Sequence, residues 1–306
     1  MDDLSKKISV EQNKEKQIKR LQAQRQLYST AKKLFILQLI LSVPVAILTT
    51  FLAIVFPMIK VWVSIWGIFV IIICKAWLTP WQKKLQADAT KIQEIFDCDV
   101  LQIPWNEIKA GRLPEPELVK KYSDKYKAEK MPTLRDWYPV EVSDLPLHVG
   151  KIICQRSNCW WDSTQRRQYA NIIVTGLAIL FFIAVVLALK KNLGLLDFVL
   201  NILIPFFPAI LFGVQQYHDH KETANRLDSI RAHFESLWQE ILSDSIIKKR
   251  LEEKTRSLQD EIYDNRRKSP LVFDEIFKML RNDYEKRMNH AASEYISEAK
   301  EKMNLV

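Results

Sequence analysis

The sequence predicts an all-α integral membrane protein, and three observations carry that prediction. Four apolar runs, Leu34–Phe56, Val61–Thr79, Asn171–Leu189 and Leu195–Val214, are each near the ~20 residues a helix needs to cross a bilayer core. They come as two close pairs, joined by Pro57-Met58-Ile59-Lys60 and by Lys190-Lys191-Asn192-Leu193-Gly194, connectors short enough that only helical hairpins can use them. The chain also holds only 6 glycines in 306 residues, which leaves little turn chemistry for sheets.

Each run reads as a transmembrane helix rather than a buried soluble one. In the first, the polar residues Gln38, Ser42, Thr49 and Thr50 are scattered and form no stripe. A long polar segment precedes that run and its apolar stretch is too long for an h-region, so no signal peptide is expected there. Trp62, Trp66, Trp77 and Trp81 bracket the second run, as interfacial aromatics do. Lys75 lies one turn from its end, where the side chain can carry its charge to the headgroups. No acid sits mid-span, and Asp197 is near an end, so a proton relay has no carrier. Pro44, Pro205 and Pro208 remove backbone donors and predict kinks. With so few polar faces, one four-helix unit cannot enclose a wide aqueous pore. Conduction would require a homo-oligomer.

Orientation follows from the basic residues beside the runs. Arg20, Arg25, Lys32 and Lys33 precede the first, and Lys83, Lys84 and Lys91 follow the second. Arg156, Arg166 and Arg167 precede the third, and Lys221, Arg226 and Arg231 follow the fourth. The opposite side offers only Lys60, Lys190 and Lys191. Both termini and every large segment are therefore expected in the cytoplasm.

Five segments result: a basic N-terminal helix (1–33), hairpin 1 (34–79), a cytoplasmic middle domain (80–170), hairpin 2 (171–214) and a helical C-terminal region (215–306). Residues 1–33 hold nine Lys/Arg against four Asp/Glu, whereas the segment from Gln215 holds 17 against 18. The net charge of +9 thus gathers beside the membrane, where anionic lipid attracts it, and makes no stripe for duplex nucleic acid. In the middle domain a helix is expected through Gln82–Phe96, an extended piece at Val100–Ile103 and a charged helix over Glu115–Lys130. An irregular stretch carries Pro132, and Ser143 is placed as the N-cap of a helix leading to the third run. In the tail, Leu227, Ile230, Phe234, Leu237 and Ile241 step by three and four, a seam suited to coiled-coil packing, either on the chain's own middle domain or, as we favour, against the tails of other subunits. That pattern slips at Ser243–Ser245 and resumes to Ile262. A shorter helix is expected from Asp274.

Specific chemistry concentrates before the third run. Gln155-Arg156-Ser157-Asn158-Cys159-Trp160-Trp161-Asp162 is followed by Arg166 and Arg167, and Arg135 lies upstream. Guanidinium forks grip phosphates and indoles stack on bases, so Arg135, Arg156, Asn158, Trp160, Arg166 and Arg167 are the candidate ligand-binding residues. The plainer reading is that Trp and Arg beside a span are interface anchors, and that Asp162 pairs with Arg166 four residues on. No phosphate loop, nucleophile elbow or HExxH is present, so no enzymatic activity is expected. Cys154 and Cys159 lack zinc spacing, and His218-Asp219-His220 reads as surface, so no metal or bound cofactor is expected.

Several segments together carry a resemblance. They are Ala23-Gln24-Arg25-Gln26-Leu27-Tyr28, Ile103-Pro104-Trp105-Asn106, Arg135-Asp136-Trp137-Tyr138-Pro139, the Gln155–Asp162 segment, and Arg266-Arg267-Lys268-Ser269-Pro270-Leu271-Val272-Phe273-Asp274. In this order and layout the chain resembles the SMODS-associated four-transmembrane effectors, pore-forming proteins of bacterial CBASS anti-phage operons. The resemblance implies a protein of the bacterial inner membrane whose cytoplasmic part binds a cyclic di- or trinucleotide. Binding would then drive the spans, as a homo-oligomer, to permeabilise the lipid bilayer. A constitutive coiled-coil scaffold and a small-solute transporter are the alternatives.

Overall fold

The computed structural model describes residues 6–305 apart from 46, 47, 50, 51, 53–55, 128, 130–132, 191, 193, 244 and 245. The middle of the first apolar run, Pro132 and Ser245 therefore lie outside the described residues. The described chain is helical, with no β-strand element. Its helices are α1 (Lys6–Glu11), α2 (Glu15–Ser42), α3 (Lys60–Ile73), α4 (Thr79–Leu101), α5 (Glu107–Ala110) and α6 (Pro116–Ser123). Then come α7 (Leu147–Lys190), α8 (Leu195–Phe198), α9 (Ile204–Leu242), α10 (Lys248–Lys268) and α11 (Asp274–Lys302).

Two of these rods are long and apolar enough to cross a membrane. One is α3 with α4, joined through a π-helical turn at Cys74–Leu78 into a continuous rod over Val61–Leu101. The other is α7. Their most apolar stretches are almost entirely exposed, unlike the core helix of a soluble protein. A second π-helical turn, Val199–Leu203, joins α8 to α9. Near its base α9 closes tightly on α7: a Cβ at Gly213 would lie 1.8 Å from Leu177 Cδ1, so only glycine fits there without moving the leucine.

Away from the apolar arms the helices form one bundle. Its main core takes Ile8, Ile18 and Leu21 from the N-terminal helices, Phe96, Val100 and Ile152 from the middle, and Phe234, Trp238, Ile262 and Ile296 from the tail. A second core uses small residues, Ala23, Ala31 and Ala89, to bring α2 close against α4, with Leu271 closing one end.

Five expectations are corrected. The seam Leu227–Ile241 is buried in the core of its own chain, not held out for another subunit. Helix α4 runs to Leu101 and ends on Gln102 in the left-handed region (φ 51°), so only Ile103 remains of the extended piece, set by Pro104 behind it. The charged helix stops at Ser123. Ser143 sits in a 3₁₀ turn, Val140–Asp144, hydrogen-bonded to Ser9, and α7 starts only at Leu147. Helix α11, at 29 residues, is longer than α10 at 21.

Candidate functional site

Five of the six predicted ligand residues lie on α7, but the structure turns them toward different neighbours. Arg156 stacks on Tyr295 of α11, its guanidinium carbon 4.3 Å from the ring centroid, and its Nε reaches Glu235 of α9 at 3.4 Å. Trp160 meets Tyr284 of α11 edge-on at 6.0 Å. Asn158 donates to the Tyr138 hydroxyl at 3.0 Å. Arg166 is buried; it pairs with Asp162 at 3.0 Å and donates to the Pro270 carbonyl at 2.9 Å. Arg167 pairs with Asp228 of α9. Arg135 stands exposed on the loop before Trp137, apart from the others. Most of these arginines are thus engaged by the fold's own carboxylates.

What the sequence reading missed is a buried ionic network that ties three helices together. On α4, Glu94 and Asp97 lie one turn apart and are essentially inaccessible, at 1 % and 0 % exposure. Glu94 accepts from Arg256 (2.8 Å) and Gln259 (2.8 Å) of α10. Asp97 accepts from Arg266 (2.5 Å), Gln259 (3.1 Å) and the Tyr138 hydroxyl (2.6 Å). Gln155 of α7 donates to the Gln259 side chain and the Thr255 carbonyl, and Arg256 also donates to the Pro104 carbonyl. Burial raises the Glu94 carboxyl above its usual range, Asp97 adding to it, against the pull of Arg256. Burial opposes the charge on Arg266, but Asp97 outweighs it and holds that guanidinium firmly protonated. Paired and hydrogen-bonded in this way, buried charges are tolerated.

The linker between α10 and α11 sits where the bundle meets the apolar arms. Its Ser269 carbonyl accepts from Gln86 of α4 at 2.6 Å, and its Pro270 carbonyl from Arg166 of α7. Phe273 packs on Phe35 of α2 (5.6 Å) and Tyr169 of α7 (5.7 Å), and Phe35 meets Phe212 of α9 at 6.1 Å. One five-residue linker thus touches the bases of α2, α4 and α7. His220 belongs here too, which corrects its surface reading. It is fully buried 4.3 Å from Tyr169, and burial, with Arg166 beside it, pulls its imidazole down to about 3; His218 is exposed.

A third feature is Arg25 of α2. Its guanidinium carbon lies 4.6 Å from the Phe277 ring centroid and 5.3 Å from that of Trp137, and Trp161 stands 6.3 Å from Phe277. Its Nε is sealed from solvent with no acceptor. Burial, with Arg281 nearby, pulls the group down to about 10. The four cysteines are buried and unbridged, and among the described residues no group of His, Cys, Asp or Glu is placed to hold a metal.

Three of the quoted segments meet around Asp97: Asn158 donates to the Tyr138 hydroxyl, and Tyr138 and Arg266 each donate to the Asp97 carboxylate. Residues 6–295 match the SMODS-associating 4TM effector domain. The chain belongs to this family. A relative from Bacillus cereus (strain VD146), described as a probable CBASS effector molecule, is 26 % identical over 225 residues, which cover 72 % of this chain and 75 % of the relative. No solved structure matches the chain. The family match spans both the apolar arms and the polar bundle, so arms and network belong to one effector domain.

Proposed function

We propose that the protein is a CBASS effector of anti-phage defence, in which a cytoplasmic bundle senses a cyclic oligonucleotide and drives four membrane spans to permeabilise the bacterial inner membrane. The family and the relative's description support the defence role. The observation that carries the mechanism is continuity: α7 runs 44 residues from the bundle into the third apolar run, and Val61–Leu101 does the same for the second. A rigid helix transmits a tilt at one end to the other. A ligand moves this equilibrium only if it binds one arrangement more tightly than the other. The linker Ser269–Phe273 gives such a preference a route, because moving α10 against α11 displaces the residues that brace three arm bases. Largely exposed arms leave their apolar surface to lipid or to further copies, and a pore would need several copies.

Purified protein in dye-loaded liposomes tests this reading. Addition of cyclic di- or trinucleotide should release dye. A scaffold would release none with any nucleotide, and a transporter would give saturable uptake without leakage.

A further inference from the structure

Each of the other arginines that the bundle draws at least partly out of solvent has a carboxylate. Arg20 has Asp99, Arg156 has Glu235, Arg166 has Asp162, Arg256 has Glu94 and Arg266 has Asp97. Arg226, Arg231 and Arg281 are paired as well. Arg25 is the exception among the described residues. The carboxylate that acts on it, Asp274, forms its ion pair with Lys32 instead. Burial works against its charge, with Arg281 adding to it and Tyr126 and Asp274 acting the other way. A buried donor left without an acceptor is costly, and Arg25 lacks the ion-paired carboxylate that its counterparts have.

We propose that Arg25 receives a phosphate group of the activating nucleotide, with Trp137 and Phe277 holding the guanidinium plane and Trp161 and Arg281 bordering the same site. The phosphate rests on this geometry; the choice of a nucleotide rests on the function proposed above. A guanidinium fork matches phosphate oxygens in pairs, and flat aromatic neighbours suit a base. A lipid headgroup is a poor source for that phosphate. Arg25 stands nine residues before Leu34 on the unbroken helix α2, about 13 Å along its axis, whereas the headgroup layer is only about 5–8 Å deep. Phe277 lies in the first turn of α11, directly after the bracing linker. An anion at Arg25 therefore acts on the element that leads to the arm bases.

The test is calorimetric titration of the full chain in phosphatidylcholine nanodiscs with pyrophosphate, cyclic di-AMP, cyclic di-GMP and cyclic triadenylate. Wild type, Arg25→Gln and Arg25→Lys are compared. The site predicts that one cyclic nucleotide binds wild type, at least about tenfold more weakly R25Q, and at an intermediate level R25K, which keeps the charge but loses the fork. R25Q should unfold no earlier than wild type, because no partner loses its charge. Equal binding to wild type and R25Q overturns the site and leaves the proposed function standing. Arg25-dependent binding of pyrophosphate with none of the nucleotides keeps the phosphate site and overturns the nucleotide reading. No binding by any probe overturns both. A lower unfolding temperature for R25Q with unchanged affinity marks Arg25 as structural only, and overturns the site.

Discussion

Asp97 of α4 and Arg266 of α10 meet at 2.5 Å, the carboxylate wholly buried and the guanidinium nearly so. They are 169 positions apart in the chain, and together they fasten the tail to the helix that continues into the second apolar run. Removing one charge of such a pair leaves the other uncompensated in a dry interior. Asp97→Asn is expected to destabilise the fold by about 3–5 kcal/mol, read by chemical denaturation in detergent. A loss below about 1 kcal/mol would mean that water reaches the pair.

Tyr138→Phe removes a hydroxyl that donates to Asp97 and accepts from Asn158. Asp97 keeps two other donors, but the Asn158 amide loses its acceptor. The expected cost is about 1–3 kcal/mol, and pairing the change with Asn158→Leu should recover part of it. Strict additivity in that double-mutant cycle would contradict the contact.

His220 makes stability depend on pH. Its buried imidazole stays neutral in the folded chain down to about 3, whereas in the unfolded chain it takes a proton near 6.5. Between those values the unfolded state binds the extra proton, so this contribution to stability is present above about pH 6.5 and is lost as pH falls. Denaturation midpoints of wild type should drop between pH 7 and pH 5, and those of His220→Phe should drop less. Parallel profiles would show that other groups set the slope.

Gly213 allows the close approach of α9 to α7. Gly213→Ala should push the end of the Leu177 side chain off its rotamer and cost about 0.5–1.5 kcal/mol. Adding Leu177→Ala should relieve the clash, so the double variant should be more stable than the sum of the single changes predicts. Thermal unfolding of the four proteins measures this directly.

Much of the architecture is legible in the residues themselves. The Val61–Thr79 and Asn171–Leu189 runs announce their helices, and scarce glycine announces a helical chain. The buried network was not, because Glu94 and Asp97 look locally like any charged pair on an amphipathic helix, and their partners lie some 160 positions away. The seam at Leu227–Ile241 was legible but its cover was not: a stripe at steps of three and four looks the same whether another subunit or, as here, the same chain covers it. Arg156 and Arg166 were singled out for good chemical reasons, yet Glu235 and Asp162 already occupy them. Arg25 was counted among the basic residues beside the first run and not among the ligand candidates, because an arginine on a polar helix reads as solvated. Only the distribution of carboxylates in space shows that it has none.

If nucleotide binding in the bundle opens a path through the membrane, occupancy and dye release must rise together, and both can be followed in the same proteoliposomes. Release should rise over the concentration range in which the sites fill, and Arg25→Gln should shift both curves to higher concentration together. Sites filled to saturation in vesicles that keep their dye would contradict it.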